Sequence, residues 1–263
     1  AIHRRLTTRM GTTTNARSLR ALASRSRALA RRRVDERAVV VARRARASVA
    51  PSMTSAASSS HHSSWASRDA DVVAWARDAW AVSLERDDDV IDATLGRGRD
   101  ALACAKMCPE GVVYGFDVEP DAVASARTAF ERAGIDAERA RFEERCHADA
   151  LEEMARTRPR AFGAVTFNLG YLPGDEDAKT RAKRRRTNAS TTLRAVSAAL
   201  ECARVGGVVT VVAYLKHEGG AEEHEAVREA LRASPTKSWT VTERRVLNRN
   251  AAPVLYVARR AAE

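Results

Sequence analysis

Apolar and polar positions along the chain predict two kinds of element, which alternate from about residue 66 onward. Val73, Ala76, Trp80 and Leu84 recur at the period of an amphipathic helix. After them, short apolar runs alternate with segments of helical periodicity. Strands are predicted at residues 89–94, 112–116, 141–146, 161–167, 208–214, 238–247 and 253–259. Further helices are predicted over residues 100–107, 120–134 and 147–156, in the segment that ends at Gly206-Gly207, and around Val227 and Leu231.

The order of these elements predicts an α/β fold. Strands that alternate with helices are typical of βαβ units, in which the strands are parallel and the helices cover the sheet. The last two strands have no helix between them, so they are predicted to form an antiparallel hairpin at the sheet edge. We therefore expect a doubly wound, Rossmann-like sheet, mostly parallel with an antiparallel C-terminal hairpin, over residues 65–263.

Positive charge is concentrated at the N-terminal end of the chain. Residues 1–64 contain 14 arginines, no lysine and two acidic residues, and they end in a serine-rich stretch. This composition is typical of a disordered organelle transit peptide followed by a linker, although a basic arm that binds RNA would share it. The composition does not distinguish a plastid from a mitochondrion. Residues 65–263 contain 31 basic and 32 acidic residues, so the net charge of +11 says little about the predicted domain.

Neither a membrane nor a metal is predicted as a partner. No apolar run reaches the ~18 residues that a membrane-spanning helix needs. The spacing of the four cysteines fits no zinc site.

Two motifs at predicted strand ends indicate a nucleoside cofactor. The first runs from Asp92 to Asp100 and has glycines at positions 96 and 98, where a ligand can approach the backbone closely. The second ends in Asp117, whose carboxylate can accept hydrogen bonds from both hydroxyls of a ribose. In a doubly wound sheet, both loops open on the same crevice.

Two cofactors fit this pattern. A dinucleotide would place its pyrophosphate at the glycines, whereas S-adenosylmethionine would place the ammonium of its amino-acid tail near Asp92. A carboxylate at that position attracts an ammonium and repels a pyrophosphate. The sequence therefore favours S-adenosylmethionine and leaves a dinucleotide-dependent dehydrogenase as the alternative.

A third motif, FNLGYLPG at residues 167–174, follows the fourth predicted strand. Many methyltransferases that act on amines carry a loop with an asparagine and an aromatic residue at this place. The side-chain oxygen of Asn168 can accept a hydrogen bond from a target amine and align it, and Tyr171 can stack on a base. Alternatively, this motif is only a turn at the end of the strand, with its aromatic residue in the core.

Taken together, these motifs resemble one family of class I methyltransferases, the MnmM (YtqB-like) family that was first labelled rRNA methylases. The patterns NLGYLPG and YxxHxGGxEE are specific, whereas the glycine-rich loop is not. The matching stretches run in order through nearly all of residues 66–260: DATLGRGRD (92–100), VYGFDVEPDAV (113–123), CHADALEEM (146–154), FNLGYLPGDED (167–177), TTLRAVSAALE (191–201), VVAYLKHEGGAEEHEAV (211–227) and VLNRNAAPVLYV (246–257).

The resemblance implies a class I methyltransferase sheet and methylation of the exocyclic amine of 5-aminomethyl-2-thiouridine at the wobble position of tRNA. It implies S-adenosyl-L-methionine as cofactor and an anticodon stem-loop as partner. The cofactor residues are then expected to be Asp92, Thr94, Gly96, Arg97, Gly98, Asp100, Asp117, Glu119, Cys146, His147, Asn168 and Leu169, with Cys146 and His147 beside the adenine. A methyltransferase for rRNA or a small amine, and a non-catalytic RNA-binding relative, stay open as alternatives, as does a homodimer.

Several polar residues are predicted to act on the substrate. Asn168 and Tyr171 are expected at the reacting centre, and Asp175 and His217 are candidate proton acceptors, although His217 could instead order its loop and Asp175 could cap a turn. A basic run is interpreted as a clamp for RNA phosphates, with a solvated loop as the alternative. This run comprises Lys179, Arg181, Lys183, Arg184, Arg185 and Arg186. The acidic residues 222, 223 and 225 are interpreted as a helix start, where negative charge complements the helix dipole.

Overall fold

The computed structural model describes residues 71–170 and 187–262. Along the chain these residues form the following helices and strands: α1 (Val72–Ser83), β1 (Asp89–Asp92), α2 (Arg99–Met107), β2 (Val113–Asp117), α3 (Pro120–Arg132), a 3-10 turn (Ala137–Arg139), β3 (Ala140–Glu144), α4 (His147–Thr157), β4 (Phe162–Asn168), α5 (Ala189–Cys202), β5 (Ala203–Ala213), α6 (Gly220–Arg232), β6 (Trp239–Arg245) and β7 (Val254–Arg260).

The strands form one seven-stranded sheet in the order β3-β2-β1-β4-β5-β7-β6. Strands β1 to β5 pair in parallel, and β7 pairs antiparallel with both β5 and β6. The predicted Rossmann-like sheet with a C-terminal antiparallel hairpin at its edge is therefore confirmed. The chain order reverses direction in the sheet between β1 and β4, so the carboxyl ends of β1, β2 and β4 lie side by side at the switch point.

Helices cover both faces of the sheet. On one face, α4, α5 and α6 pack on a large core that includes Phe116, Phe162 and Phe167. On the other face, α1, α2 and α3 pack on two smaller apolar clusters. Within the described ranges, no helix is both long and apolar enough to cross a membrane.

Helix α1 is held against the sheet by its tryptophans. Asp71 begins the helix, because its carboxylate accepts hydrogen bonds from the Val73 and Ala74 backbone N–H groups at 3.0 and 3.1 Å. The buried indole of Trp80 donates a hydrogen bond to the Thr210 hydroxyl on β5, at 2.9 Å. Trp75, which the predicted periodicity did not include, is also buried.

One predicted boundary is wrong. The segment before the fifth strand was expected to stay helical to Gly206-Gly207, but α5 ends at Cys202 and β5 begins at Ala203. Ala203 pairs with Phe162, and the register then shifts so that Val208 pairs with Ala164. The two glycines therefore lie in a bulge of the strand, where a Cβ at Gly207 would come within 3.0 Å of the backbone oxygens of residues 162 and 163.

Candidate active site

The loops after β1 and β2 are joined by hydrogen bonds at the carboxyl edge of the sheet. One oxygen of the Asp117 carboxylate accepts from the Gly96 backbone N–H at 2.8 Å, and the other accepts from the Glu119 backbone N–H at 3.0 Å. Asp117 is partly exposed at this edge. The two motifs that the sequence placed in one crevice are therefore in direct contact.

Asp92 lies beneath the glycine-rich loop and is almost fully buried. Its carboxylate accepts hydrogen bonds from the backbone N–H groups of Thr94 and Ala101, at 3.2 and 3.0 Å. Burial raises the pKa of Asp92 to about 8, and the neighbouring Asp100 carboxylate adds to the effect. The site thus contains a carboxyl group that is largely protonated near neutral pH, and a cation bound beside it would lower its pKa and favour the carboxylate.

Gly98 has a packing role that the sequence did not indicate. It adopts a left-handed conformation with φ of 74°, and a Cβ there would lie 2.8 Å from the Cβ of Ala126 on α3. The absence of a side chain therefore allows α3 to pack closely against this loop. Arg97, between the two glycines, is exposed.

Asn168 ends β4 and is fixed at both its backbone and its side chain. Its backbone N–H donates to the Thr94 hydroxyl at 2.7 Å, and its side-chain Nδ2 donates to Asp100 Oδ2 at 3.1 Å. Asp100 Oδ1 accepts a further hydrogen bond from the Arg77 guanidinium at 3.3 Å. Thr94, Asp100 and Asn168, predicted from two separate motifs, therefore form one hydrogen-bonded unit.

Leu169 differs from the other predicted cofactor residues. Its side chain is buried in the apolar core, and its backbone N–H donates to the Val212 carbonyl at 2.8 Å. A cofactor in the crevice would therefore meet its backbone rather than its side chain.

Cys146 and His147 begin helix α4 beside the glycine-rich loop. The His147 ring is buried and packs edge-on to Phe167, with centroids 6.1 Å apart. Burial lowers the pKa of His147 to about 4, so the ring is neutral near pH 7. Its Nε2 atom is buried without a hydrogen-bond partner among the described residues.

His217 lies beside the start of the NLGYLPG motif. A Cβ at Gly170 would be 3.8 Å from His217 Nε2, and one at Gly220 would be 3.0 Å from the same atom. The Nδ1 atom of this ring lies 3.1 Å from the Glu218 carbonyl. Within the described ranges, His217 Nε2 is buried and makes no hydrogen bond.

Glu223 has a role that the sequence analysis missed. The predicted helix start is confirmed, but the Glu223 carboxylate is buried and accepts hydrogen bonds from the Thr187 and Thr192 hydroxyls at 2.8 and 2.6 Å. Thr187 in turn forms two hydrogen bonds with Gly170, one through its hydroxyl and one through its backbone N–H, both 3.1 Å long. Glu223 thus connects α6 to the end of β4.

The remaining predicted site residues lie outside the described residues. They are Tyr171, Asp175, Lys179, Arg181, Lys183, Arg184, Arg185 and Arg186.

The fold and the edge where these loops meet define a class of protein, the class I methyltransferases. Two solved structures support this class. The crystal structure of a "putative rRNA-methylase" from Clostridium thermocellum has a TM-score of 0.64 and 30% sequence identity, covering 72% of this chain and 97% of that one. A "putative methyltransferase" from Streptococcus mutans, solved in complex with SAH, has a TM-score of 0.61 and 26% identity, covering 72% of this chain and 98% of that one.

Residues 113–260 match the family model described as "Putative rRNA methylase". The chain belongs to this family. It is also 35% identical, over 187 residues, to the chloroplastic tRNA (mnm(5)s(2)U34)-methyltransferase of Arabidopsis thaliana. That match covers 67% of this chain and 64% of the Arabidopsis protein.

Proposed function

We propose that this chain is an S-adenosylmethionine-dependent N-methyltransferase that converts 5-aminomethyl-2-thiouridine at the tRNA wobble position to the 5-methylaminomethyl form. The observation that carries the proposal is the position of Asn168, held by Thr94 and Asp100 next to the two carboxylate-bearing loops. The reaction is the one named for the Arabidopsis relative.

The groups at the strand ends fit the proposed cofactor chemically. Asp117 is a hydrogen-bond acceptor suited to ribose hydroxyls, and Asp92 is a carboxyl group suited to an ammonium. The buried Nε2 of His147 has no partner among the described residues and is available to a polar group of the adenine. Gly96 and Gly98, with the exposed Arg97 and the partly exposed Glu119 nearby, would line the remainder of the cofactor site, and Cys146 would lie at the adenine.

When bound, S-adenosylmethionine supplies an electrophilic methyl group. The side-chain oxygen of Asn168 accepts a hydrogen bond from the target amine and directs its lone pair. A primary amine of this kind resembles that of lysine, with an unperturbed pKa of ~10.4, so it must lose a proton before it can attack. Transfer of the amine from water into the site would favour its neutral form. Positioning of this kind contributes up to ~7–11 kcal/mol to a bimolecular reaction, so a strong base is not required.

His217 is our candidate for the group that receives the proton released by the amine. Its ring lies beside Gly170, and its Nε2 is buried and unpartnered within the described ranges. Asp175 is the second candidate, and Tyr171 is proposed to stack on the target base.

The proposed RNA partner is the anticodon stem-loop of a tRNA. The basic run from Lys179 to Arg186 follows the NLGYLPG motif directly in sequence and would contact phosphates. The family description favours ribosomal RNA as a second candidate substrate. Either RNA substrate would present its reacting amine to Asn168.

We further propose that the protein works in a plastid. The Arabidopsis relative is named as chloroplastic, and residues 1–64 have the composition of a transit peptide. Fusion of residues 1–64 to a fluorescent protein tests this, and a signal confined to mitochondria or the cytosol would contradict it.

The experiment that tests the proposed activity is nucleoside mass spectrometry. Full-length protein is incubated with the labelled methyl donor and with tRNA that carries 5-aminomethyl-2-thiouridine, and ribosomal RNA is assayed in parallel. We expect label in the 5-methylaminomethyl nucleoside, and its loss in the Asn168→Ala variant with little change in cofactor affinity. Label in ribosomal RNA alone would assign the second candidate substrate.

A further inference from the structure

The side-chain amide of Asn168 is oriented by a chain of two hydrogen bonds. Asn168 Nδ2 donates to Asp100 Oδ2 at 3.1 Å, and the Arg77 guanidinium donates to Asp100 Oδ1 at 3.3 Å. The Asp100 side chain is only 13% exposed, whereas that of Arg77 is 44% exposed. Both carboxylate oxygens of Asp100 are therefore engaged by groups of this chain.

This arrangement determines which end of the Asn168 amide faces the crevice. An ionised carboxylate has no proton to donate, so it can only accept hydrogen bonds. The NH₂ group of Asn168 must therefore face Asp100, and the oxygen must face away from it. A target amine needs this oxygen, because an NH₂ group at the same place would offer it no acceptor.

We infer that Asp100 is a positioning residue that selects the reactive orientation of the Asn168 amide, with Arg77 occupying its second oxygen. This inference rests on the proposed function. It gives Asp100 a task distinct from the cofactor binding that the family resemblance implies. Arg77 and Asp100 both precede residues 113–260, the part that matches the family model.

The substitution Asp100→Asn tests the inference because it leaves a single acceptor oxygen at position 100. Two donors, Asn168 Nδ2 and the Arg77 guanidinium, then compete for that oxygen. The positive charge of Arg77 attracts the new amide oxygen, so the new NH₂ group turns toward Asn168. Asn168 must then present its own oxygen to position 100 and its NH₂ group to the substrate. We expect turnover to fall by about 100-fold, the effect of a misplaced reacting group. The affinity for S-adenosylhomocysteine should change by less than about threefold, because Asp92 and Asp117, the carboxyl groups assigned to the cofactor, are untouched.

The double variant Arg77→Met with Asp100→Asn is the decisive test. Without Arg77, the new amide oxygen at position 100 is free to accept from Asn168 Nδ2, so the original orientation returns. We expect the double variant to recover about tenfold of the lost turnover. Asp78→Asn, on the exposed neighbour of Arg77, is the matched control and is expected to behave as wild type.

A readout independent of activity is the NMR signal of the Asn168 side-chain NH₂, assigned by its absence in Asn168→Ala. We expect this signal to shift in Asp100→Asn and to return toward the wild-type position in the double variant. Thermal unfolding of each variant identifies any that fail to fold, and the double variant then decides the result.

The possible outcomes separate the inference from the proposed function. A double variant no more active than Asp100→Asn, with an NH₂ signal that does not return, would overturn the inference. An equal loss of cofactor affinity and turnover in Asp100→Asn would also overturn it, by making Asp100 a cofactor residue. If wild-type protein binds S-adenosylhomocysteine but methylates no amine, the proposed function fails, and the NMR comparison still decides the orientation of Asn168.

Discussion

The Asp117 carboxylate accepts a hydrogen bond from the Gly96 backbone N–H at 2.8 Å, which joins the ends of β1 and β2. Its other oxygen accepts from the Glu119 backbone N–H, so the side chain is held in one orientation. Each carboxylate oxygen has more than one lone pair, and each can accept another hydrogen bond. Asp117 can therefore organise the loop and bind a ribose at the same time.

The Asp117→Ala variant is expected to bind S-adenosylhomocysteine more weakly by about 2–3 kcal/mol, because charge-assisted hydrogen bonds to the ribose are lost. Calorimetric titration measures this change. Asp121→Ala is the matched control, since Asp121 is exposed in the first turn of α3. Equal affinities for wild type and Asp117→Ala would mean that the cofactor lies elsewhere.

Much of the sheet could be predicted from the sequence because β1, β2, β4 and β5 contain short apolar runs next to turn signals. All seven predicted strands form, and the hairpin of β6 and β7 lies at the edge as expected. The error at Gly206-Gly207 arose because glycine occurs both after the end of a helix and in a strand bulge. Only the close approach of the β4 backbone, which lies about 40 residues away in sequence, distinguishes the two.

The contacts between polar side chains were much less predictable. Asp92, Asp117 and Asn168 follow apolar runs, so their positions at strand ends could be predicted. The partners of Glu223, by contrast, lie 31 and 36 residues away in sequence, and Arg77 is 23 residues from Asp100. No local pattern indicates such pairs, which is why the sequence predicts the helix start at Glu223 but not the contacts of its buried carboxylate.

The pKa of Asp92 predicts a pH-dependent stability. The folded state raises this pKa to about 8 from an ordinary 3.8, so between these values the folded protein holds a proton that the unfolded chain has released. The contribution of Asp92 to stability is therefore greatest below pH 4 and declines as the pH rises toward 8. Relative to wild type, the unfolding free energy of Asp92→Asn should rise between pH 5 and 8 by up to about 1.4 kcal/mol per pH unit. Urea unfolding over this range measures the difference, and parallel curves would contradict the prediction.

Glu223 should stabilise the folded domain. Glu223→Ala leaves the hydroxyls of Thr187 and Thr192 without their acceptor, and we expect the unfolding free energy to fall by about 2–3 kcal/mol. Glu222→Ala, on the exposed neighbouring residue, is the control and should change it by less than about 0.5 kcal/mol. Denaturant unfolding of both variants checks this, and similar losses would show that Glu223 acts only through the helix dipole.

The basic run from Lys179 to Arg186 should determine how strongly tRNA binding depends on salt. If Arg184, Arg185 and Arg186 each neutralise one phosphate, replacing all three with alanine should flatten the log–log salt dependence of tRNA binding by about 2–3 units. Cofactor affinity should not change, because the loops after β1 and β2 are untouched. Turnover at saturating tRNA should be nearly preserved, since phosphate contacts stabilise ground and transition states alike.

A charge-matched control replaces Arg86, Arg132 and Arg156, which are exposed at the opposite edge of the sheet from the proposed site. Arg86 precedes β1, and the other two lie in the last turns of α3 and α4, helices that run back from the carboxyl ends of their strands. This control lowers the net charge by the same amount, so it separates local phosphate contacts from a general electrostatic effect. Binding is measured at several salt concentrations for the three proteins. A wild-type slope in the Arg184, Arg185 and Arg186 variant, or an equal change in the control, would mean that RNA docks on another surface.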